Sequence, residues 1–588
     1  MKRNVAEKFI GGMGISSWLA YNLIEPETDP LSPENALVFG VGPLVGTLAP
    51  GASRVYANSK SPLSGFICQA SAGHSMGIMM KYAGYDNLVI TGRADKPVYL
   101  KISDDEVEVC DAKHLWGRDT WSTTDLIRKE LGDYWVDCIG PAAENLVRSS
   151  IVLCSKRSSF NKTGLGAVMG SKNLKAITAR GTGGVRVADP GKFRELTEEI
   201  TLRIVSDPQL KAYRAYGGPS SGFSQPEFTR EHFCQRVAET AYACVSCPVA
   251  CKHIIDMKDG VYQGLSFRIS HLPALADHSR LGEPENWDEL AKIVETQNRY
   301  GIEAAGTASM LSYLVDCYEH GLLTKEEIGF TPKRGAKALR ELIPMICQKE
   351  GIGDLSAEGV STASRKVGKN SEKYAKHIKG VGREHKLESQ VNIQTIGSLT
   401  NPRGGHADLA PISFGSVSPM EMDQRAFRRF SAELGLHEKI TTRVHAEPAG
   451  RLTKWVEDFT SAYVSMGFCN KSIIMRHVHL GKLSEIYKAA TGLELEPTQL
   501  LIAGERVFNV LKAFNVKAGA IRLDDLPSRG ETWPPNRILV VKGKEYGNLN
   551  QILNQYYDER GWDVRTGFPT KQKLRELDLG EVARDIGV

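Results

Sequence analysis

The sequence predicts an α+β fold: a β-rich N-terminal domain over residues 1–182, then two mostly α-helical domains over 183–378 and 379–588. Three observations predict it. Up to about residue 180 the chain carries short apolar runs closed at short intervals by Gly, Pro, Asn and Asp, the pattern of strands and turns. From Asp189-Pro190 the pattern turns helical, with Phe193, Leu196, Ile200 and Ile204 recurring at steps of three and four. The chain has 588 residues, 41% of them hydrophobic, enough for several domains around a large buried core.

The N-terminal strands are read from Ala36-Leu37-Val38-Phe39, Asn87-Leu88-Val89-Ile90-Thr91 and Val98-Tyr99-Leu100-Lys101-Ile102. In the middle, Trp287 to Leu322 and Pro332 to Glu350 keep helical spacing. Thr498 to Phe514 does so near the C-terminus, ahead of a polar tail of short elements. There is no internal repeat and no low-complexity segment.

Composition excludes several classes. Lys plus Arg number 74 and Asp plus Glu 69, a net charge of +5 that is near neutral for this size. A basic stripe is absent, so no nucleic-acid partner is expected. Near the N-terminus, Glu7 and Lys8 interrupt what would otherwise read as a signal peptide. No window holds the roughly 18 uninterrupted apolar residues of a membrane span. The most apolar stretch, Ala36 to Ala52, is broken by Pro43, Pro50 and four glycines. The expectation is a cytoplasmic protein whose eleven cysteines are thiols, or metal ligands where they cluster.

The strongest chemical signal is Cys244-Val-Ser-Cys247-Pro-Val-Ala-Cys251. Three thiolates at spacings of three and four converge on one cluster from a single turn and the start of a helix, and Pro after Cys is common in iron–sulfur loops. A four-iron cluster needs a fourth thiolate, for which Cys469 is the candidate. A structural zinc closed by His253 is the competing reading of the same spacing. The second signal is a set of glycine-rich stretches: Gly73-His74, Gly140 to Asn145, and Gly164-Leu165-Gly166-Ala167-Val168-Met169-Gly170-Ser171-Lys172. Glycines let backbone amides approach a phosphate closely, though each stretch alone is also an ordinary tight turn. The last runs on through Asn173 to Ile177 as a strand, which argues against a dinucleotide fingerprint that should open a helix.

Asn58-Ser59-Lys60-Ser61-Pro62-Leu63-Ser64-Gly65, Lys81-Tyr82-Ala83-Gly84-Tyr85-Asp86, the Gly164-to-Ile177 run, the three-Cys motif, Gly504-Glu505-Arg506-Val507-Phe508-Asn509 and Ala513-Phe514-Asn515-Val516-Lys517-Ala518-Gly519 occur in this order. Together they resemble the tungsten-containing aldehyde:ferredoxin oxidoreductase family, from about Gly11 to Pro527. The resemblance implies a tungsten (or molybdenum) bis-pyranopterin with a magnesium between its phosphates, and a 4Fe-4S cluster nearby. It makes the N-terminal domain the pterin base and the helical domains its cover. By position, Arg54 is similar to the Arg that links cofactor and cluster. Ser71, Gly73, Gly166, Ala167, Gly170 and Lys172 are similar to the phosphate and magnesium contacts, and Cys244, Cys247, Cys251 and Cys469 to the cluster thiolates. A ferredoxin or ferredoxin-like electron-transfer subunit is the implied partner, in a homodimer or hetero-oligomer.

Departures from the family pattern are specific. Arg268 stands where aldehyde-oxidising members carry a Glu near the metal. A carboxylate can take a proton; an arginine cannot, but it can hold an anionic group. The pterin-edge pattern Asp-x-x-Gly becomes Asn298-x-x-Gly301 and Val464-x-x-Gly467. His406, after Arg403-Gly404-Gly405, is similar to the family's active-site His and is the candidate acid–base group. His271 and His278 are weaker candidates for the altered pocket, Glu231 and His232 weaker still, and the isolated cysteines read as buried thiols. The leading expectation is aldehyde oxidation to a carboxylic acid. The alternatives are an acyl-CoA reductase subunit of the benzoyl-CoA reductase type, and an electron-carrying subunit that has lost the pterin.

Overall fold

The computed structural model describes residues 3–217, 235, 237–269, 287–382, 393–410, 449–528, 540–541, 544–545 and 548–588. The N-terminal region is built on two sheets. In the first, β1 (Leu37–Val41), β2 (Arg54–Lys60), β3 (Ile67–Gly73) and β4 (Asn87–Ile90) are antiparallel in the order β3-β2-β1-β4. The second holds β5 (Val98–Ser103), β6 (Glu106–Asp111), β7 (Trp135–Cys138), β8 (Val152–Cys154), β9 (Ser158–Phe160) and β10 (Leu174–Arg180). Its order is β6-β5-β10-β7-β8-β9, with β5 and β10 the parallel pair.

Strands β1, β2 and β3 of the first sheet are buried on both faces, while β4 at its edge is partly exposed. Leu37, Phe39 and Val41, with Val55, Ala57, Cys68, Ala70 and Ala72, meet Val152, Phe160, Val168 and Ile177 of the second layer. The alternate residues Val38, Tyr56 and Ile67 face the helix Gly12–Leu23 and the C-terminal helices. Two buried faces explain why β1 reads as a continuous apolar run rather than an alternation.

The middle of the chain differs from its sequence reading in one respect. It opens with a third sheet, β11 (Val237–Tyr242), β12 (Lys252–Met257) and β13 (Ser266–Ile269), all antiparallel, before the helices Trp287–Tyr300, Ala304–Glu319 and Ala336–Gln348. The three-Cys motif therefore lies in the connection between β11 and β12, not at the start of a helix. The helix Pro190–Val205 forms where its spacing predicts, with Phe193, Leu196, Ile200 and Ile204 buried. It packs on Leu480–Thr491 and shares the core of the C-terminal helices Ala449–Ser465 and Pro497–Lys517.

A buried ionic clamp ties the C-terminal region together. The fully buried Asp525 accepts from Lys512 Nζ at 2.8 Å and the Tyr557 hydroxyl at 2.7 Å, and forms an ion pair with Lys379 Nζ at 2.8 Å. Burial alone would raise its pKa, but the two ammonium groups hold it down at about 2. Lys379 belongs to the hairpin His377–Ile378/Val381–Gly382. Among the described residues no helix is long and apolar enough to cross a membrane.

Candidate redox site

The four sequence-predicted thiols converge. Cys247 N–H donates to Cys244 O at 3.1 Å, and left-handed φ values at Ser246 (55°) and Ala250 (48°) bend the motif into a tight loop. Cys469 arrives from the other end of the chain, just past the helix Ala449–Ser465 and Gly467, whose φ is 103°. Residues 47–54 lace the two segments together. Cys469 N–H donates to Gly51 O at 3.0 Å, Gly51 N–H to Ser246 O at 3.1 Å, and Ser246 Oγ to Thr47 O at 2.7 Å.

The electrostatics agree with this placement. Burial, then the neighbouring Cys244, Cys469 and Cys251, push the Cys247 thiol up; burial likewise raises Cys251, which senses Cys469 and Cys244. Cys469 is the exception. Burial works against its ionised form, yet Arg54 and Lys471 hold it below the usual thiol range. Arg54 donates from Nη2 to Cys469 Sγ at 3.3 Å and from Nη1 to Ser71 O at 3.3 Å, so one guanidinium touches both a thiol and the predicted cofactor edge.

Four thiols are a donor set that an iron–sulfur cluster takes. Among the described residues no group of three or more His, Cys, Asp or Glu side chains is placed to hold a metal ion. His253, the fourth ligand of the zinc reading, is buried and pairs with Glu239 at 2.5 Å. Gly73 adds a cradle: a Cβ there would lie 2.9 Å from Cys244 Sγ, so only glycine leaves room beside the thiol.

The Gly164–Lys172 stretch does open a helix, Leu165–Ser171, with Gly164 at φ 76°, and β10 then forms the expected strand. Its glycines serve close packing. A Cβ on Gly166 would lie 2.8 Å from Ile151 backbone atoms, and one on Gly170 2.0 Å from Ala143 O. Ala167 is fully buried. Lys172 Nζ donates to Pro33 O (2.9 Å) and Gly92 O (3.1 Å), and burial lowers its pKa to about 8. The structure thus directs Lys172 into backbone carbonyls.

Arg268 and Asn298 come together. Arg268 N–H donates to Asn298 Oδ1 at 3.4 Å, Asn298 Nδ2 donates to Val294 O at 2.8 Å, and Gly301, at φ 72°, turns the chain after the helix. The Arg268 guanidinium crosses to β9, donating from Nη2 to Ser159 Oγ at 2.8 Å. His406 sits half-buried on a turn made by Gly404 (φ 79°) and Gly405 (φ 72°), seated on the Lys379 hairpin. That turn reaches the site from two sides: Gln69 Nε2 of β3 donates to Asn401 Oδ1 at 3.2 Å, and Asn470, next to Cys469, donates to Asp408 O at 2.9 Å. Lys252 was not anticipated, although it follows Cys251 directly. Its Nζ donates to Ser158 Oγ at 2.9 Å and Gly73 O at 3.3 Å. His271, His278, Glu231, His232 and Cys234 lie outside the described residues. Cys68, Cys138, Cys154, Cys317 and Cys347 are buried thiols and Cys110 is partly buried.

Comparison with known proteins decides the family. A family model described as "Aldehyde ferredoxin oxidoreductase, N-terminal domain" matches residues 1–181, and one described as "Aldehyde ferredoxin oxidoreductase, domains 2 & 3" matches residues 212–579. The chain belongs to the aldehyde ferredoxin oxidoreductase family. Relatives include the tungsten-containing aldehyde ferredoxin oxidoreductase of Pyrococcus horikoshii, 32% identical over 98% of this chain and 95% of that one. The "aliphatic sulfonate oxidoreductase, WOR-like subunit" of Pyrococcus furiosus is 28% identical over 100% of this chain and 95% of its own length. Among solved structures, the active site complex BamBC of benzoyl coenzyme A reductase with 1,5-dienoyl-CoA shares the fold, with a TM-score of 0.81 and 23% identity over 100% of this chain and 95% of that one. Membership makes this chain an oxidoreductase of a tungsten-containing family, and a tungstopterin is the cofactor that family implies.

Proposed function

We propose that the chain oxidises an aldehyde to a carboxylic acid on a tungsten bis-pyranopterin, with electrons leaving through a 4Fe-4S cluster to ferredoxin or a ferredoxin-like subunit. The supporting observation is Arg54, which bonds Cys469 and the carbonyl of Ser71 at once, with the other three cysteines gathered beside Cys469. When bound, the metal supplies the two-electron oxidation of aldehyde plus water, and the cluster splits that pair into single electrons. The chain's own part is orientation, charge and proton handling. Cys244, Cys247, Cys251 and Cys469 would hold the cluster, and Arg54 would fix the gap between cluster and pterin. Ser71 and Gly73 would meet the cofactor's phosphates and magnesium, with Asn298, Gly301 and Gly467 at its pterin edges.

His406 is the proposed proton acceptor, carried on the Gly404–Gly405 turn. Arg268 cannot take that role, because a guanidinium does not deprotonate in this range. This favours a second reading, reduction of an acyl-CoA thioester, in which no carboxylate base is needed to activate water. An anaerobic viologen-reduction assay over short, branched and aromatic aldehydes, on protein shown to hold tungsten, tests the first. Turnover that His406→Ala abolishes at unchanged tungsten content is expected. A silent enzyme that instead reduces an aromatic acyl-CoA with a low-potential donor would replace the first reading by the second.

A further inference from the structure

The interior beside the candidate site is positively charged. By register, Tyr242 faces Lys252 and Ile254 faces Arg268, so Tyr242, Lys252 and Arg268 share one face of the third sheet. They grip three consecutive residues of the β8–β9 hairpin: the Tyr242 hydroxyl donates to Arg157 O, Lys252 Nζ to Ser158 Oγ and Arg268 Nη2 to Ser159 Oγ. Among the described residues no carboxylate lies within ion-pair distance of Arg157, Lys252 or Arg268. His74 carries no compensating role. Burial first, then Arg157, Lys252 and Arg128, push its pKa down to about 3, and Arg157 Nη1 lies 2.9 Å from its Nε2.

Lys252 directly follows Cys251 and donates to Ser158 Oγ and Gly73 O. Among the described residues Arg268 meets no carboxylate and its buried Nε has no hydrogen-bond partner; it is 9% exposed and lies beside Tyr242 and Cys154. A buried charge without a partner is costly, and a bidentate oxyanion is what a guanidinium fork best accepts. The guanidinium is also well placed: its backbone N–H is tied to Asn298, on the helix that carries the pterin-edge pattern.

We propose that Arg268 and Ser159 form an anion subsite for the substrate, so that the substrate is an aldehyde bearing its own carboxylate, phosphate or sulfonate. The anion would be held by the guanidinium while the aldehyde end faces the metal. This rests on the aldehyde reading above for the reacting group, but not for the binding of the anion. A phosphate of the cofactor is the other source of the same chemistry, and the test separates the two.

The experiment compares wild-type holoenzyme with Arg268→Gln and Arg268→Lys. Calorimetric titration with succinate, which needs no turnover, reads anion binding. The ratio of kcat/KM for succinate semialdehyde to that for butanal reads specificity, and metal analysis reads tungsten. Saturable succinate binding, weakened about ten- to a hundredfold in Arg268→Gln and partly restored in Arg268→Lys, is expected. The ratio of kcat/KM for succinate semialdehyde to that for butanal should collapse, chiefly through the KM for succinate semialdehyde, with tungsten content retained. Tungsten lost from Arg268→Gln with succinate affinity unchanged would assign the anion to the cofactor and overturn the proposal. Equal or absent succinate binding in wild type and Arg268→Gln would overturn it too, and should Arg268→Gln fail to fold, an unshifted KM in Arg268→Lys does the same. Succinate binding without aldehyde turnover would sink only the aldehyde reading.

Discussion

The guanidinium of Arg54 donates to the sulfur of Cys469 at 3.3 Å, joining residues 415 positions apart in sequence. The same residue's backbone N–H donates to Gly467 O at 2.9 Å, so both ends of Arg54 are fixed against the segment that carries the thiol. A charge-assisted bond of this kind favours thiolate over thiol, which is the state a metal cluster needs.

Arg54→Gln keeps a donor but removes the positive charge. Cluster potentials follow net charge and the hydrogen bonds to sulfur. The midpoint of the reconstituted cluster should therefore move to a more negative potential, read by an EPR-monitored redox titration. Arg54→Lys should shift it less.

Cys469→Ser distinguishes cluster from zinc. Reconstituted wild-type protein should hold about four irons with sulfide, and the variant should lose most of the visible iron–sulfur absorbance. Retention of one zinc per chain in both proteins, without iron, would restore the Cys₃His reading.

Gly73→Ala puts a methyl group 2.9 Å from Cys244 Sγ, with Lys252 Nζ and Ser53 Oγ also near. Overpacking of this order costs about 1–3 kcal/mol. Iron occupancy should fall and the melting temperature with it. Gly184→Ala, with open space around it and no left-handed backbone, should leave iron content unchanged.

Asp525→Asn leaves Lys379 and Lys512 buried without their shared carboxylate. The loss should be ~3–5 kcal/mol, read by denaturant unfolding at neutral pH. The pH dependence has a definite sign. The folded pKa, about 2, lies below the unfolded value of 3.8, so the stabilisation is full above about pH 4 and is lost as pH falls towards 2. Wild-type stability should drop through that window more steeply than that of the variant.

Much of this was legible in the residues. The spacing of Phe193, Leu196, Ile200 and Ile204 specified a helix because one apolar stripe faces one core. The three cysteines at steps of three and four pointed to one shared site, with iron–sulfur cluster and zinc both open on spacing alone. Glycine was less informative. Gly166 and Gly170 admit a neighbouring backbone, Gly73 admits a thiol, and a sequence shows only the missing side chain. Lys252 was equally opaque, since a lysine after a cysteine reads as surface until the β9 hairpin is seen to cover it. The helical expectation around Cys244 failed because pairing between β11 and β12, a long-range contact, sets the geometry of the loop.

The lacing of residues 47–54 with Ser246 and Cys469 has a consequence for assembly. Neither cysteine segment is held by its own neighbours alone; each hangs on a turn contributed by the first strands of the chain. Closing loops of this length costs entropy that short-range contacts do not recover. The proposed cluster, bound across them, would act as a clip and add its binding free energy to folding. Iron loss would then loosen the joint between the first and last parts of the chain before it disturbed either part, and amides around Gly51 and Cys469 would be the first to exchange.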